Sequence, residues 1–226
     1  MMIEPIKLND VYPWGHNLAE YKAIFNLDDM DLRRPLVGFA DGTSSVNSEL
    51  TQLGRKMVSV DPIYQFTKQD IDRRLNDVMA QSEQYWRGLP EDHRQQAIAI
   101  AGSRVKATKT FLVDFELGKQ QGRYLPTALP GPFAFPDNTF SIGLCAHFLL
   151  LYDYYGLAFH IQAITEMLRI CNEIRIYPTL NLHGQKSFVL DDVVNHFSSN
   201  YRVHLETVEY GFQGMGEEML RIGGGD

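Results

Sequence analysis

Hydrophobic positions follow two alternating periods along this chain. Residues 17–30 (NLAEYKAIFNLDDM) place Leu18, Tyr21 and Phe25 on one helical face, after a turn-like aromatic segment, Tyr12-Pro13-Trp14-Gly15-His16. The run PLVGFA (35–40) predicts a short buried strand, and Asp41-Gly42-Thr43-Ser44-Ser45 a small-residue turn. Val46 to Leu53 predicts a helix closed at Gly54, and MVSV (57–60) a second strand ended by Asp61-Pro62. Strand, tight turn, helix, strand is a βαβ unit, the building block of parallel sheets.

Residues 67–110 break that rhythm. They are polar, rich in Gln and Arg and helical in period, with Leu75, Val78, Met79 and Trp86 along one stripe and Pro90-Glu91-Asp92 opening a second helix. This is more helix than a crossover needs, and it predicts a helical insertion that covers a pocket at the carboxyl edge of the sheet. Further on, the pattern predicts strands within GRYLPTAL (122–129), FSIGLCAHF (140–148) and EIRIYPTL (173–180), and helices over Leu157 to Cys171 and Val189 to Asn200. RVHLETVEY (202–210) and EMLRIG (218–223) alternate as an antiparallel edge pair would, with Gly223 to Asp226 as a loose tail. No internal repeat and no linker divides the chain. The expectation is one α/β domain over 1–226, a three-layer sandwich around a mostly parallel seven-stranded sheet with an antiparallel C-terminal strand.

Composition narrows the function. With 226 residues, 44% hydrophobic and 22% charged, the chain can bury a sizeable core. A net charge of -7 repels a phosphate backbone, so general nucleic-acid binding is disfavoured. Cys145 and Cys171 sit in apolar runs and read as buried thiols, with neither zinc spacing nor a disulfide framework, and no metal site is expected. The start, Met-Met-Ile-Glu-Pro-Ile-Lys, is no signal peptide, and the longest apolar run, Phe140 to Tyr152, is too short for a membrane span and carries His147. The expected setting is the cytoplasm, with no membrane partner. Aromatic segments near both termini could form a homodimer interface.

The first βαβ unit carries the strongest chemical signal. Ala40, Gly42 and Ser44 are small at alternate positions, so a ligand can approach the backbone and the N–H groups of the following helix. Asp61 stands about twenty residues on, where a carboxylate accepts both ribose hydroxyls of a nucleoside. A plain structural turn explains the same residues, and Ala-Asp-Gly-Thr-Ser is a poor match to G-x-G-x-x-G.

VGFADGTSSVNSELTQLGRKMVSVDPIY (37–64) resembles the first two strands of the class I S-adenosylmethionine-dependent methyltransferases, within a little-characterised bacterial group. FPDNTFSIGLCAHFLLLY (135–152), FHIQAITEMLRICNEIRIYP (159–178) and VEYGFQGMGEEMLRI (208–222) resemble later blocks of that group in the same order. The resemblance implies a Rossmann-like sheet, S-adenosylmethionine as cofactor and S-adenosylhomocysteine as product. It implies that Ala40, Asp41, Gly42, Thr43 and Ser44 wrap the methionine part and that Asp61 holds the ribose. Pro62 and Ile63 would flank the adenine, with Ala128 and Leu129 near its edge. Cys145, Ala146 and His147 would face cofactor and acceptor. Two positions depart from the pattern: Gly38 stands where an acid is usual, and Ser44 where glycine is commoner.

Methyl transfer from a sulfonium needs alignment more than activation. A base helps where the acceptor must lose a proton, and His147 is the candidate, with an ordinary pKa of about 6.5. Its alternative is a histidine bonded within the wall. Tyr152 opens a polar-aromatic cluster that lines an acceptor pocket or forms a loop of half-buried rings. Trp14, His16 and Tyr21 close the site from the N-terminal side or staple the first helix. The expected function is a methyltransferase for a small-molecule acceptor. Its rivals are an NAD-dependent oxidoreductase using the same turn and Asp61, and a non-catalytic nucleoside-binding or interaction protein.

Overall fold

The computed structural model describes residues 7–210 and 218–224. The expectations placed on residues 1–6, on 211–217 of the closing pair and on the last two residues of the tail lie outside the described residues. In chain order the elements are α1 (Leu18–Phe25), β1 (Leu36–Phe39), α2 (Val46–Gln52), β2 (Met57–Val60), α3 (Lys68–Trp86), α4 (Glu91–Gln120) and β3 (Tyr124–Leu125). β4 (Phe140–Ala146), α5 (Leu157–Ile170), β5 (Cys171–Tyr177), α6 (Leu190–Phe197), β6 (Arg202–Thr207) and β7 (Glu218–Gly223) follow. The strands form one sheet in the order β3-β2-β1-β4-β5-β7-β6. Pairings from β3 to β5 are parallel, and β7 runs antiparallel between β5 and β6. This is the expected α/β sandwich.

Strand parity builds the two cores. Val37, Phe39, Cys145, Ile174, Ile176, Leu220 and Ile222 face one side and pack with Ala163, Ile164 and Met167 of α5 and Val193 and Phe197 of α6. Leu36, Ile142, Leu144, Ala146, Tyr177 and Met219 face the other and pack with Tyr21, Ile24 and Phe25 of α1 and Val46 and Leu50 of α2. Both faces of the central strands are buried, which is why those segments read as continuous apolar runs.

The helical insertion differs from expectation in its end. α4 runs to Gln120, ten residues beyond the expected limit of 110. No proline stands between 110 and Gly122, Gly118 is carried within the helix, and Phe111, Leu112 and Phe115 continue at helical spacing into a third cluster with Ile63, Tyr64, Ile71 and Tyr124. α1 is shorter than expected because Asn26 adopts a left-handed conformation, φ 48°, at its C-cap. No helix among the described residues is long and apolar enough to cross a membrane.

Candidate functional site

β2 lies on one side of β1 and β4 on the other, so the connection reverses at β1. Ligands of doubly wound sheets sit outside the carboxyl ends of the strands at such a switch point. Ala40–Ser44, Asp61–Ile63 and His147 follow β1, β2 and β4 and therefore converge on that edge. Ala40 (φ 48°) and Gly42 (φ 56°) are both left-handed, which turns the chain sharply off β1. Nothing stands within 4 Å of where a Cβ on Gly42 would be, so open space adjoins the turn.

Asp61 is half-buried. Gly42 N–H donates to its Oδ2 at 3.0 Å and Ile63 N–H to its Oδ1 at 2.7 Å. Each oxygen keeps a lone pair for a further donor. Burial pushes its pKa up to about 6, against the pull of the Ile63 and Gly42 N–H groups and with a smaller upward push from Asp41. The folded chain thus holds this proton to higher pH than the unfolded chain. The stability from this group is full below the ordinary 3.8 and is lost as pH rises through about 6.

The side chains of the turn point inward. The buried Asp41 carboxylate accepts from Tyr21 Oη and Ser59 Oγ, each at 2.5 Å. It occupies the space over Gly38, where a Cβ would stand 2.6 Å from the Asp41 Cγ and Oδ1. Glycine at 38 makes room for this carboxylate. Thr43 Oγ1 meets Thr108 Oγ1 at 2.9 Å, and Ser44 Oγ donates to the His16 carbonyl at 3.2 Å. Backbone, rather than these side chains, faces the open side at Gly42.

The segment before α1 lies across this turn. Gly15 N–H donates to Thr108 Oγ1 at 3.0 Å, Thr108 Oγ1 donates to the Pro13 carbonyl at 2.8 Å, and Ser45 N–H donates to the His16 carbonyl at 2.9 Å. Contact is so close that a Cβ on Gly15 would stand 2.1 Å from the Thr43 carbonyl oxygen. A capping box, Asn17 with Glu20, starts α1 immediately afterwards.

His16 and His147 form the chemical centre of this edge. Parity alone would put His147 on the Cys145 face. Its φ of 53° takes it off the strand, and its ring packs on His16 (4.6 Å), Tyr177 (5.2 Å) and Tyr210 (6.4 Å). His16 Nε2 and His147 Nδ1 are 3.1 Å apart. Arg104 of α4, itself buried, reaches His16 Nδ1 and Glu20 Oε2 from Nη1, each at 2.7 Å, and Tyr210 Oη from Nη2 at 2.6 Å. Burial, then the Arg104 and His147 charges, hold His16 well below the usual histidine range. Burial, then Arg104, lowers His147 to about 4, not the 6.5 that suited a general base. His147 Nε2 and Trp14 Nε1 are buried without a hydrogen-bond partner among the described residues. A buried donor left unmatched costs about 1–3 kcal/mol.

Of the remaining expected residues, Ile63 and Leu129 are buried, Pro62 is half-buried and Ala128 is exposed. Ala146 is buried beside His147, while Cys145 is fully buried in the α5 face, where burial pushes its thiol up to about 12. Tyr152 contacts Phe148 and Tyr154 in a separate aromatic group. His160 bridges the Gly156 and Leu149 carbonyls inside the fold. A groove of about 430 Å³ between α3 and α4, lined by Met79, Trp86, Ile98 and Val105 among others, shares none of the expected site residues. Arg104, Thr108, Glu20, Ser59, Tyr177 and Tyr210 belong to the assembly but were not expected. Their partners lie far away in sequence, and only the insertion's placement at the carboxyl edge hinted at the first two.

Sheet order and switch-point turn define a doubly wound, Rossmann-like protein. The sequence is 32% identical over 223 residues to the uncharacterized protein MJ0045 of Methanocaldococcus jannaschii, covering 96% of this chain and 98% of that one, and the chain belongs to the same family. No family model matches. Similar solved structures include an rRNA methylase from Escherichia coli, with TM-score 0.42 and 11% identity over 92% of this chain and 62% of that one. A SAM-dependent methyltransferase from Aquifex aeolicus has TM-score 0.41 and 11% identity over 90% of each chain. At such distance no residue role is carried across, and the fold rests on the strand order itself.

Proposed function

We propose that this protein is an S-adenosylmethionine-dependent methyltransferase acting on a small-molecule acceptor. The observation that carries the reading is Asp61 at the end of β2, its carboxylate oriented by Gly42 N–H across an open-sided turn at the switch point. In this reading Asp61 accepts the ribose hydroxyls, and the Ala40–Gly42 backbone lies along the methionine part. Pro62, Ile63, Ala128 and Leu129 bound the adenine, and Ala146 with His147 borders the acceptor. The bound cofactor supplies an activated methyl group; the chain's share is to orient the acceptor and exclude water. The acidic surface and the aromatic lining at His16, Tyr177 and Tyr210 support a small acceptor.

Thermal unfolding and calorimetry with S-adenosylmethionine, S-adenosylhomocysteine and NAD test this reading. Ligand at 100 times its Kd stabilises the fold by about 2.7 kcal/mol. Hydrogen bonds to a charged group contribute about 1.5–3 kcal/mol each, so Asp61→Ala, which removes both ribose contacts, is expected to weaken binding of S-adenosylmethionine and S-adenosylhomocysteine by at least about a hundredfold. Affinity for S-adenosylhomocysteine is expected to fall on acidification below about pH 6, towards one decade per pH unit, as the carboxylate is protonated. Asp61→Asn should remove that slope. Binding of NAD alone would transfer the site to an oxidoreductase, and binding of none of the three would discard the cofactor reading.

A further inference from the structure

We propose that Arg104 and His16 are positioning residues that fix His147 as a one-way hydrogen-bond donor. The group held against His147 then presents a lone pair to it, not a proton for removal. The polarity follows from donor chemistry. A guanidinium only donates, so His16 Nδ1, 2.7 Å from Arg104 Nη1, is the acceptor and carries no proton. The single proton of neutral His16 is then on Nε2, which donates to His147 Nδ1 at 3.1 Å. The proton of neutral His147 is left on Nε2, the nitrogen that is buried and unmatched among the described residues.

The reverse polarity fails at one contact. A proton on His147 Nδ1 would require a bare His16 Nε2, and the His16 proton would then stand on Nδ1 against the Arg104 N–H. Glu20 and Tyr210 hold the guanidinium in place through Nη1 and Nη2. Among the described residues, the other titratable side chains packed on the two rings are Tyr21, Tyr177 and Tyr210, all phenols, while the Glu20 carboxylate reaches the pair through Arg104. No carboxylate among the described residues bonds to either ring to favour an imidazolium.

Under the methyltransferase reading, on which this step alone rests, the acceptor offers His147 an oxygen or ring nitrogen with a free lone pair. Any proton the acceptor loses leaves by another route.

Long-range proton–nitrogen spectra of 15N-histidine-labelled protein, without cofactor, test the polarity across roughly pH 5–8, the window in which free histidine titrates. His16→Gln and His147→Gln assign the signals. The expected result is His147 with bare Nδ1 and protonated Nε2 throughout. Arg104→Met is expected to release the pair to mixed tautomers, and Arg104→Lys, which restores a donor, to recover the pattern. A His147 protonated on Nδ1, an imidazolium in this window, or an unchanged pattern in Arg104→Met would overturn the proposal. Should Arg104→Met fail to fold, the spectrum of the unaltered protein decides alone. If S-adenosylhomocysteine does not bind while the tautomer is as expected, the cofactor reading falls and the donor chain stands.

Discussion

Truncating Phe111 to alanine is expected to lower the unfolding free energy by about 3–5 kcal/mol, the range for a buried aromatic ring. Phe111 has no exposed surface, and its ring lies 4.8 Å from Phe115, 5.2 Å from Tyr124 and 5.8 Å from Tyr64. Tyr124 belongs at once to this cluster and to β3, so the helical pair and the sheet should unfold together. Urea denaturation followed by circular dichroism and by tyrosine absorbance measures both the loss and its cooperativity. A loss under about 1 kcal/mol, or two separated transitions, would mean that α3 and α4 unfold apart from the sheet.

Gly15→Ala is expected to cost about 3 kcal/mol, the upper end for forced overpacking. The added methyl would meet backbone, the Thr43 carbonyl, and not a side chain that can swing aside. Lifting residue 15 also breaks its bond to Thr108 and carries the neighbouring Trp14 and His16 away from the turn. In a Trp86→Phe background, Trp14 is the one remaining tryptophan and reports its own exposure by its emission maximum. A red shift together with the stability loss is the expected outcome. Full stability with unshifted emission would show that the close approach at residue 15 is not required.

The β1-α2-β2 unit was legible to within about a residue because a doubly buried strand next to small residues leaves few alternatives. The convergence of residues 40–44, 61 and 147 followed from that topology. Side-chain direction did not. Asp41 reads as a ligand contact in sequence, yet Gly38 lets its carboxylate fold inward onto Tyr21 and Ser59. His147 reads as a base at its ordinary pKa, but a left-handed backbone carries it into a buried contact with a second histidine. Arg104 and Thr108 lie at helical spacing from Phe111 and Phe115 on the buried face of α4, but Ile98, Val113 and Leu117 stand exposed on the same helix, so the apolar pattern alone did not mark that face.

The bonds that seat residues 13–16 have a consequence for biosynthesis. Gly15 and Pro13 are tied to Thr108, 93 and 95 positions later, and His16 to His147, 131 positions later. Residues 13–16 therefore leave the ribosome well before Thr108 and His147, and their bonds to those two residues wait until α4 and β4 are translated. Closing contacts of such separation is slow. The edge that holds Gly42, Asp61 and His147 is thus completed late, by residues translated early, and a nascent chain halted before His147 emerges has no finished site to offer.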